Sequence, residues 1–355
     1  MNVLRVGITG YGLVGTRRHG VVDNLPNAKV VAISDIKFDE TPTERNGIRY
    51  YRHFDQLIED EIDVLFVCLP NDVAPDVTIA GLEHGLHVFC EKPPGRTVAD
   101  IRRVIAVEQQ HPRSKLKYGF NHRYHGSVRD ALNIVQAGEL GKVLSLRGLY
   151  GKSAMIPWPR RSSLADAEPS NALWRTSRES SGGGILLDQG IHMVDLMRAF
   201  AGGEFTQVMS IVRNTYWNHD VEDNAYALMS TSDGVVAMMH STATQWRHTF
   251  ALDISLAQGA LQLSGILSGT RSYGQESLTT AYRDDADQGM PREQRTTYIR
   301  DTSWNDEVVD FFDAIENNTT ITIGTSDEAL KTMELVYQIY CADDEWRDRF
   351  QLSVD

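Results

Sequence analysis

Short apolar runs and polar gaps alternate through the first third of the chain. Val3, Leu4, Val6 and Ile8 form a nearly continuous apolar run, as expected of a parallel strand covered on both faces. Residues 30–34, 64–69 and 87–90 read as further buried strands, with 115–120 as the last. Helices are predicted near Phe54 to Glu59, Val73 to Glu83 and Thr97 to Gln110; Thr97 and Asp100 open the last as a capping-box pair. Alternating strands and helices joined by short turns predict an α/β unit, a doubly wound parallel sheet, over residues 1–120.

The pattern changes after residue 121. A predicted helix near Val128 to Ala137 leads to a strand over 143–150, a polar loop over 151–181 and a helix from about Gly184 to Phe200. Strand-like runs follow at 205–213, 224–229, 234–241, 250–256 and 260–263, and helices near 305–315 and 326–340 close the chain. Consecutive strands flanked by helices predict an α+β domain over 121–355, built on a mostly antiparallel sheet with one open face. An apolar open face is usually hidden by a second subunit, so a homodimer or homotetramer through this sheet is expected.

Composition narrows the partners. The chain has 355 residues, 41% of them apolar and 23% charged, and a net charge of −13. That balance argues against nucleic acid and against an anionic membrane surface. No apolar run is long enough to span a bilayer, and Met1-Asn2 lead directly into a strand, so no signal peptide is expected. Cys68 and Cys90 lie on strand-like segments and Cys341 stands apart. Buried thiols in a reducing cytoplasm are therefore expected rather than a disulfide or metal site.

Candidate chemistry begins at Gly10-Tyr11-Gly12-Leu13-Val14-Gly15, directly after the first strand, with Asp35 twenty residues beyond Gly15. Gly10 permits a tight turn, Gly12 lets backbone approach a pyrophosphate, and Gly15 lets the helix lie close to the strand. The helix N-terminus favours phosphate. Tyr11 and Leu13 share the turn and are expected cofactor contacts. A carboxylate at Asp35 accepts from ribose hydroxyls and repels a 2′-phosphate, so NAD is expected over NADP, with Lys37 softening the repulsion.

Three further clusters stand out. Glu91-Lys92-Pro93 follows a strand at the sheet edge where ligands of open α/β sheets collect, so Lys92 is placed to stabilise an alkoxide or relay a proton. On a helix Asp188, His192 and Asp195 would share one face, which suits a proton-transferring histidine with a carboxylate beside it. The same spacing suits a buried structural Asp/His pair, and it is too thin for a metal site. Gly190 within that helix suggests close approach of another element. At the junction, Asn121 is an expected cofactor contact, and Arg123 and Tyr124 are expected to line the cleft or, more blandly, a solvated linker.

Together with Pro70-Asn71, Phe120-Asn121-x-Arg123-Tyr124 and the run from Gly182 to Asp195, these motifs closely resemble the Gfo/Idh/MocA family. Its members are NAD(P)-dependent oxidoreductases acting mostly on sugars, inositols and nucleotide-linked sugars. The resemblance implies a Rossmann domain with Gly10, Gly12 and Gly15 on the pyrophosphate and Asp35 on the adenosine ribose. It places Pro70, Asn71 and Glu91 around the nicotinamide half, Lys92 as the catalytic lysine, and Asp188 and His192 beside the substrate. Many members carry a histidine three residues after the asparagine of the Pro-Asn pair. Here that position is Ala74.

Hydride transfer to or from a ring carbon of a sugar is thus expected, with Lys92 or His192 as acid/base and Asp188 as orienter. The loop over 151–180 holds Lys152, Arg160, Arg161, Arg175 and Arg178 against Asp166, Glu168 and Glu179, with Trp158 and Trp174 among them. Aromatic rings pack on sugar or base faces and arginines pair with phosphates. Trp174 and Arg175 are therefore expected substrate contacts, and a UDP-type sugar, N-acetylated among the options, is the expected substrate. The alternatives are an inositol or free sugar, or a non-catalytic NAD-binding regulator.

Overall fold

The unbroken apolar run near the start becomes β1 (Leu4–Thr9), with Val6 and Ile8 fully buried, in a computed structural model that describes residues 3–155, 173–283 and 291–354. The chain continues through α1 (Leu13–Val22), β2 (Ala28–Ser34), β3 (Thr43–Arg45), β4 (Ile48–Tyr51), α2 (Phe54–Ile58) and β5 (Val64–Val67). Then come α3 (Ala74–Glu83), β6 (His87–Cys90), α4 (Val98–Glu108) and β7 (Leu116–Tyr118). The first sheet has the order β3-β4-β2-β1-β5-β6-β7 and is parallel throughout except for the β3–β4 hairpin. That hairpin is an addition to the expected elements. Its Asn46-Gly47 turn has φ of 54° and 75°, the pair of positive values a tight hairpin turn demands. Thr97 and Asp100 form the expected capping box at the start of α4.

Beyond the first sheet lie α5 (Gly126–Ala137), β8 (Val143–Gly151), α6 (Arg178–Ser181), a π-helical turn at Leu186–Gly190 and α7 (Ile191–Ala201). Strands β9 (Phe205–Arg213), β10 (Asn224–Thr231), β11 (Val236–Thr242), β12 (Thr249–Leu256), β13 (Gly259–Ser264), β14 (Glu276–Tyr282) and β15 (Arg292–Tyr298) follow. Helices α8 (Ser303–Glu316), α9 (Ser326–Cys341) and α10 (Asp344–Phe350) complete the order. The second sheet runs β15-β14-β13-β12-β8-β11-β10-β9, antiparallel except where β11 pairs β8. Strands β14 and β15 escape a reading based on apolar alternation. Nearly all of β15 is exposed, and β14 buries Glu276, Ser277 and Thr280 with Leu278, so polar and apolar positions do not alternate.

Two compact units result. The first comprises residues up to Asn121 together with Trp304–Lys331; the second comprises His122–Ser303 and the residues from Thr332 onward. The order of predicted elements places all of 121–355 in one domain. Val308, Phe311 and Phe312 of α8 instead complete the core built by Val6, Ile8, Val30, Val64, Phe66 and Phe89. Phe66 stacks on Phe89 at 5.0 Å, and Phe311 meets Phe89 edge-on at 5.6 Å.

In the second unit, α7 covers one face of the sheet, with Met193 and Met197 lying over Gly148 of β8. The other face is two-toned. Across β9, β10 and β11 the register aligns Ile211 with Tyr226 and His240, and Met209 with Leu228 and Met238. Met209 is 63% exposed and Met238 54%. Farther along the same rows the face turns polar: Arg147 of β8 pairs Asp253 of β12 at 2.6 Å, and Gln262 of β13 donates to Asp253 at 3.0 Å. The three cysteines are free thiols, Cys90 buried and the others half-buried. Among the described residues no helix is long and apolar enough to cross a membrane.

Candidate active site

In the first unit the glycine-rich turn joins β1 to α1. Gly10 has φ of +82°, and a Cβ there would meet the Cys68 carbonyl oxygen at 2.3 Å. A Cβ on Gly15 would sit 2.0 Å from the Gly10 carbonyl oxygen, so only glycine lets α1 start this close. At Gly12 a Cβ would meet no protein atom within 4 Å, and this residue supplies no side-chain cap to α1. Backbone N–H groups at an open, uncapped helix start are what a pyrophosphate uses. Leu13, the first helical residue, is 89% exposed there. The Asp35 carboxylate, at the end of β2, accepts from Tyr11 N at 2.7 Å and Lys37 N at 3.0 Å. Lys37 Nζ stands 3.7 Å from the same carboxylate and donates to the Tyr11 carbonyl. These residues fit a dinucleotide with a free 2′-hydroxyl.

Pro70 and Asn71 follow β5, with Asn71 buried. The Pro70 carbonyl accepts from Val73 N and Ala74 N, so the position that often carries histidine begins α3 as buried Ala74. Lys92 follows β6, half-buried, with a cis bond to Pro93. Its neighbour Glu91 is held by Arg18 of α1, whose Nε donates to Glu91 Oε1 at 2.6 Å. The same guanidinium donates to Glu307 Oε2 of α8 at 2.8 Å and lies between the Phe89 and Trp304 rings, at 4.5 and 4.3 Å. Arg18 is completely buried. Burial works against its charge, but the two carboxylates outweigh that and hold it above its ordinary value. One cation serves two acids, and burial pushes Glu307 up to about 7. The family resemblance implies a place for Glu91 at the nicotinamide half; its carboxylate accepts from Arg18.

In the second unit, Glu222 organises the approach to α7. Its carboxylate accepts from Gly184 N at 2.7 Å, Leu186 N at 2.9 Å and the Tyr340 hydroxyl at 2.7 Å. Its carbonyl accepts from Ile185 N at 3.1 Å. A Cβ on Gly184 would meet that carbonyl oxygen at 2.0 Å, and one on Gly190 would meet Ser241 Oγ of β11 at 2.3 Å. Close approach at Gly190 was the expectation, and Ser241 is what approaches. The helix itself is a correction: a regular helix was expected from Gly184, but Leu186–Gly190 is a π-turn between these two tight contacts.

Asp188 lies in that turn. Its carboxylate pairs with Lys152 Nζ at 2.9 Å and Arg175 Nε at 3.4 Å, and Arg175 lies over the Trp174 ring at 4.4 Å. Lys152 appeared in the sequence only as one charge of the loop; nothing there tied it to Asp188. His192, in the first turn of α7, is buried and stacks on His122 with ring centroids 3.7 Å apart. His122, unremarked in the sequence reading, belongs to a 3-10 turn with Asn121, Arg123 and Tyr124. All four of these side chains are buried. Arg123 binds Asp195 through two bonds, Nε to Oδ2 at 2.6 Å and Nη2 to Oδ1 at 2.8 Å. The third acidic or basic member of the expected helix face is thus in a buried ion pair with a residue expected to meet substrate. Trp158, Arg160 and Arg161 of the loop lie outside the described residues.

Residues 4–120 match the model of an oxidoreductase family with an NAD-binding Rossmann fold, and residues 128–262 match the GFO/IDH/MocA C-terminal domain. An inositol 2-dehydrogenase of Salmonella paratyphi B is 24% identical over 273 residues, 75% of each chain. A myo-inositol 2-dehydrogenase of Thermotoga maritima is 30% identical over 211 residues, 58% of each chain. Among solved structures, a levoglucosan dehydrogenase in complex with NADH has a TM-score of 0.82 and 19% identity, covering 97% of this chain and 98% of that one. At that identity the likeness speaks for the fold.

Proposed function

The chain belongs to the Gfo/Idh/MocA oxidoreductase family, with NAD as its cofactor, and from that premise we propose that it oxidises a ring hydroxyl of an uncharged cyclic polyol or sugar, and reduces the ketone in reverse. The observation that carries the substrate class is the pairing of Asp188 with Lys152 and Arg175. Two cations that would otherwise suit a phosphate are engaged by a carboxylate. A polyol can hydrogen-bond to such a group without displacing either charge. Relatives named for inositol and levoglucosan support the same class.

Bound NAD supplies the hydride acceptor. The residues of this chain handle the proton and the oxygen. His192 takes the hydroxyl proton during oxidation and returns it during reduction, Lys92 donates a hydrogen bond to the same oxygen, and Asp188 orients the substrate. The second reading is a nucleotide-linked sugar, favoured by the stacked Arg175–Trp174 pair. We also read the exposed apolar part of the second sheet as the contact between copies of the chain, in a homodimer or homotetramer.

The experiment is NADH formation across a panel of inositols, free and anhydro sugars and UDP-sugars, with Lys92→Ala beside the wild type. Turnover of uncharged substrates is expected. The variant should lose about a thousandfold or more in kcat with NAD affinity nearly unchanged. Exclusive turnover of UDP-sugars would overturn the substrate class, and full activity of the variant would overturn the mechanism.

A further inference from the structure

Resting on the role proposed for His192, we propose that His122 is a positioning residue for the reaction: its ring sets the plane of the His192 imidazole, and Tyr150 holds His122 in turn. The two imidazoles are nearly parallel, 16° apart, with centroids at 3.7 Å. A stack engages the faces of a ring and leaves its nitrogens, which lie on the edge, to exchange protons. The orientation of a histidine that moves a proton is set by its neighbours, and the flat His122 ring restrains the tilt of His192.

His122 is itself braced from several sides. Its Nε2 lies 3.0 Å from the Tyr150 hydroxyl of β8. Burial holds that phenol well above its ordinary value, so it keeps its proton. The His125 ring meets His122 edge-on at 5.4 Å, and His125 Nδ1 is fixed 2.8 Å from Glu276 Oε2 of β14. Glu276 also accepts from Ser127 N at 2.9 Å. The chain of contacts runs from a rigid strand to the ring that meets His192. The stack thus assists the geometry of the proton transfer.

The test separates ring plane from ring nitrogens. His122→Phe keeps a flat ring, His122→Asn keeps a polar group without one, and Tyr150→Phe removes only the hydroxyl that steadies it. Each is assayed as NADH formation with the uncharged panel substrates, with melting temperature and NADH affinity measured alongside. His122→Phe should keep kcat within about threefold, whereas His122→Asn should lose about tenfold or more at unchanged KM for NAD. Tyr150→Phe should lose a smaller factor in kcat, and it serves as the test if His122→Asn fails to fold. Wild-type kcat in His122→Asn, or equal losses in folded His122→Phe and His122→Asn, would overturn the proposal. A His192→Asn control separates the two readings. If that variant is fully active, the role of His192 falls; if it is inactive while His122→Asn is fully active, the stacking inference alone falls.

Discussion

Replacing Glu307 by Gln should stabilise the protein above neutral pH and change little near pH 5. Arg18 lies between Glu91 and Glu307, and with one cation for two carboxylates the fully buried one carries the excess charge. Burial is the main cause of the rise in Glu307; Glu91 adds to it, while Arg18 and Lys117 oppose it, leaving the group at about 7 against an ordinary 4.5. An acid raised in the folded state holds its proton more tightly there than in the unfolded chain. Stability therefore falls as pH climbs from the unfolded value to the folded one. Each pH unit across that interval is worth about 1.4 kcal/mol, so ionised Glu307 costs about 3 kcal/mol above pH 7. Gln keeps an oxygen for Arg18 and has no proton to lose. Thermal unfolding followed by circular dichroism from about pH 5 to 8.5 should show the two proteins converging at the acid end. At the alkaline end the variant should melt higher, by roughly 4 °C. A variant less stable than wild type at pH 8 would refute the reasoning, because the ionised Arg18–Glu307 pair would then be net favourable.

Asp35→Asn keeps one of the two oxygens that accept from Tyr11 N and Lys37 N and loses the charge that disfavours a 2′-phosphate. Fluorescence titration should show NADH binding weakened about tenfold and NADPH binding strengthened; an unchanged NADH/NADPH ratio would count against Asp35 as the selector. Glu222→Ala leaves the N–H groups of Gly184 and Leu186 without their acceptor, at about 1–3 kcal/mol each. Denaturant unfolding should report the sum, and kcat should fall as the turn bearing Asp188 loosens. Met238→Glu places a charge in the row with Leu228 and Met209, and light scattering should show a smaller assembly; an unchanged mass would remove this face from the interface.

The parts of the fold that follow a period were legible. The apolar run of β1, the capping box at Thr97 and Asp100 and the strand over 205–213 each carry their signal locally. The hairpin at β3 and β4 has almost no buried face, and its one signal, Asn46-Gly47, sits in a polar stretch that looked like loop. Strand β15 is held by backbone pairing with β14 and shows no alternation. In the candidate site, the glycine turn and Asp35 were readable because each position answers to one geometric demand. Glu222 was not, since it lies far along the chain from the turn it organises. The π-turn is likewise a response to two close contacts, at Gly184 and Gly190, that a helical pattern does not encode. Arg123 is expected at the substrate and Asp195 on the helix face with His192, and only the fold shows them bound to each other.

The return of Trp304–Lys331 to the first unit has a consequence for synthesis of the chain. A ribosome releases β1 to β7 early, yet the core they form has no Phe311 or Phe312, and Arg18 has no Glu307, until nearly all of the second unit has been translated. At 5–20 residues per second the intervening segment, His122–Ser303, takes roughly 10–40 s to emerge. During that interval the rings of Phe66 and Phe89 lack their α8 partners, and the nascent nucleotide domain presents an apolar surface that a chaperone can bind.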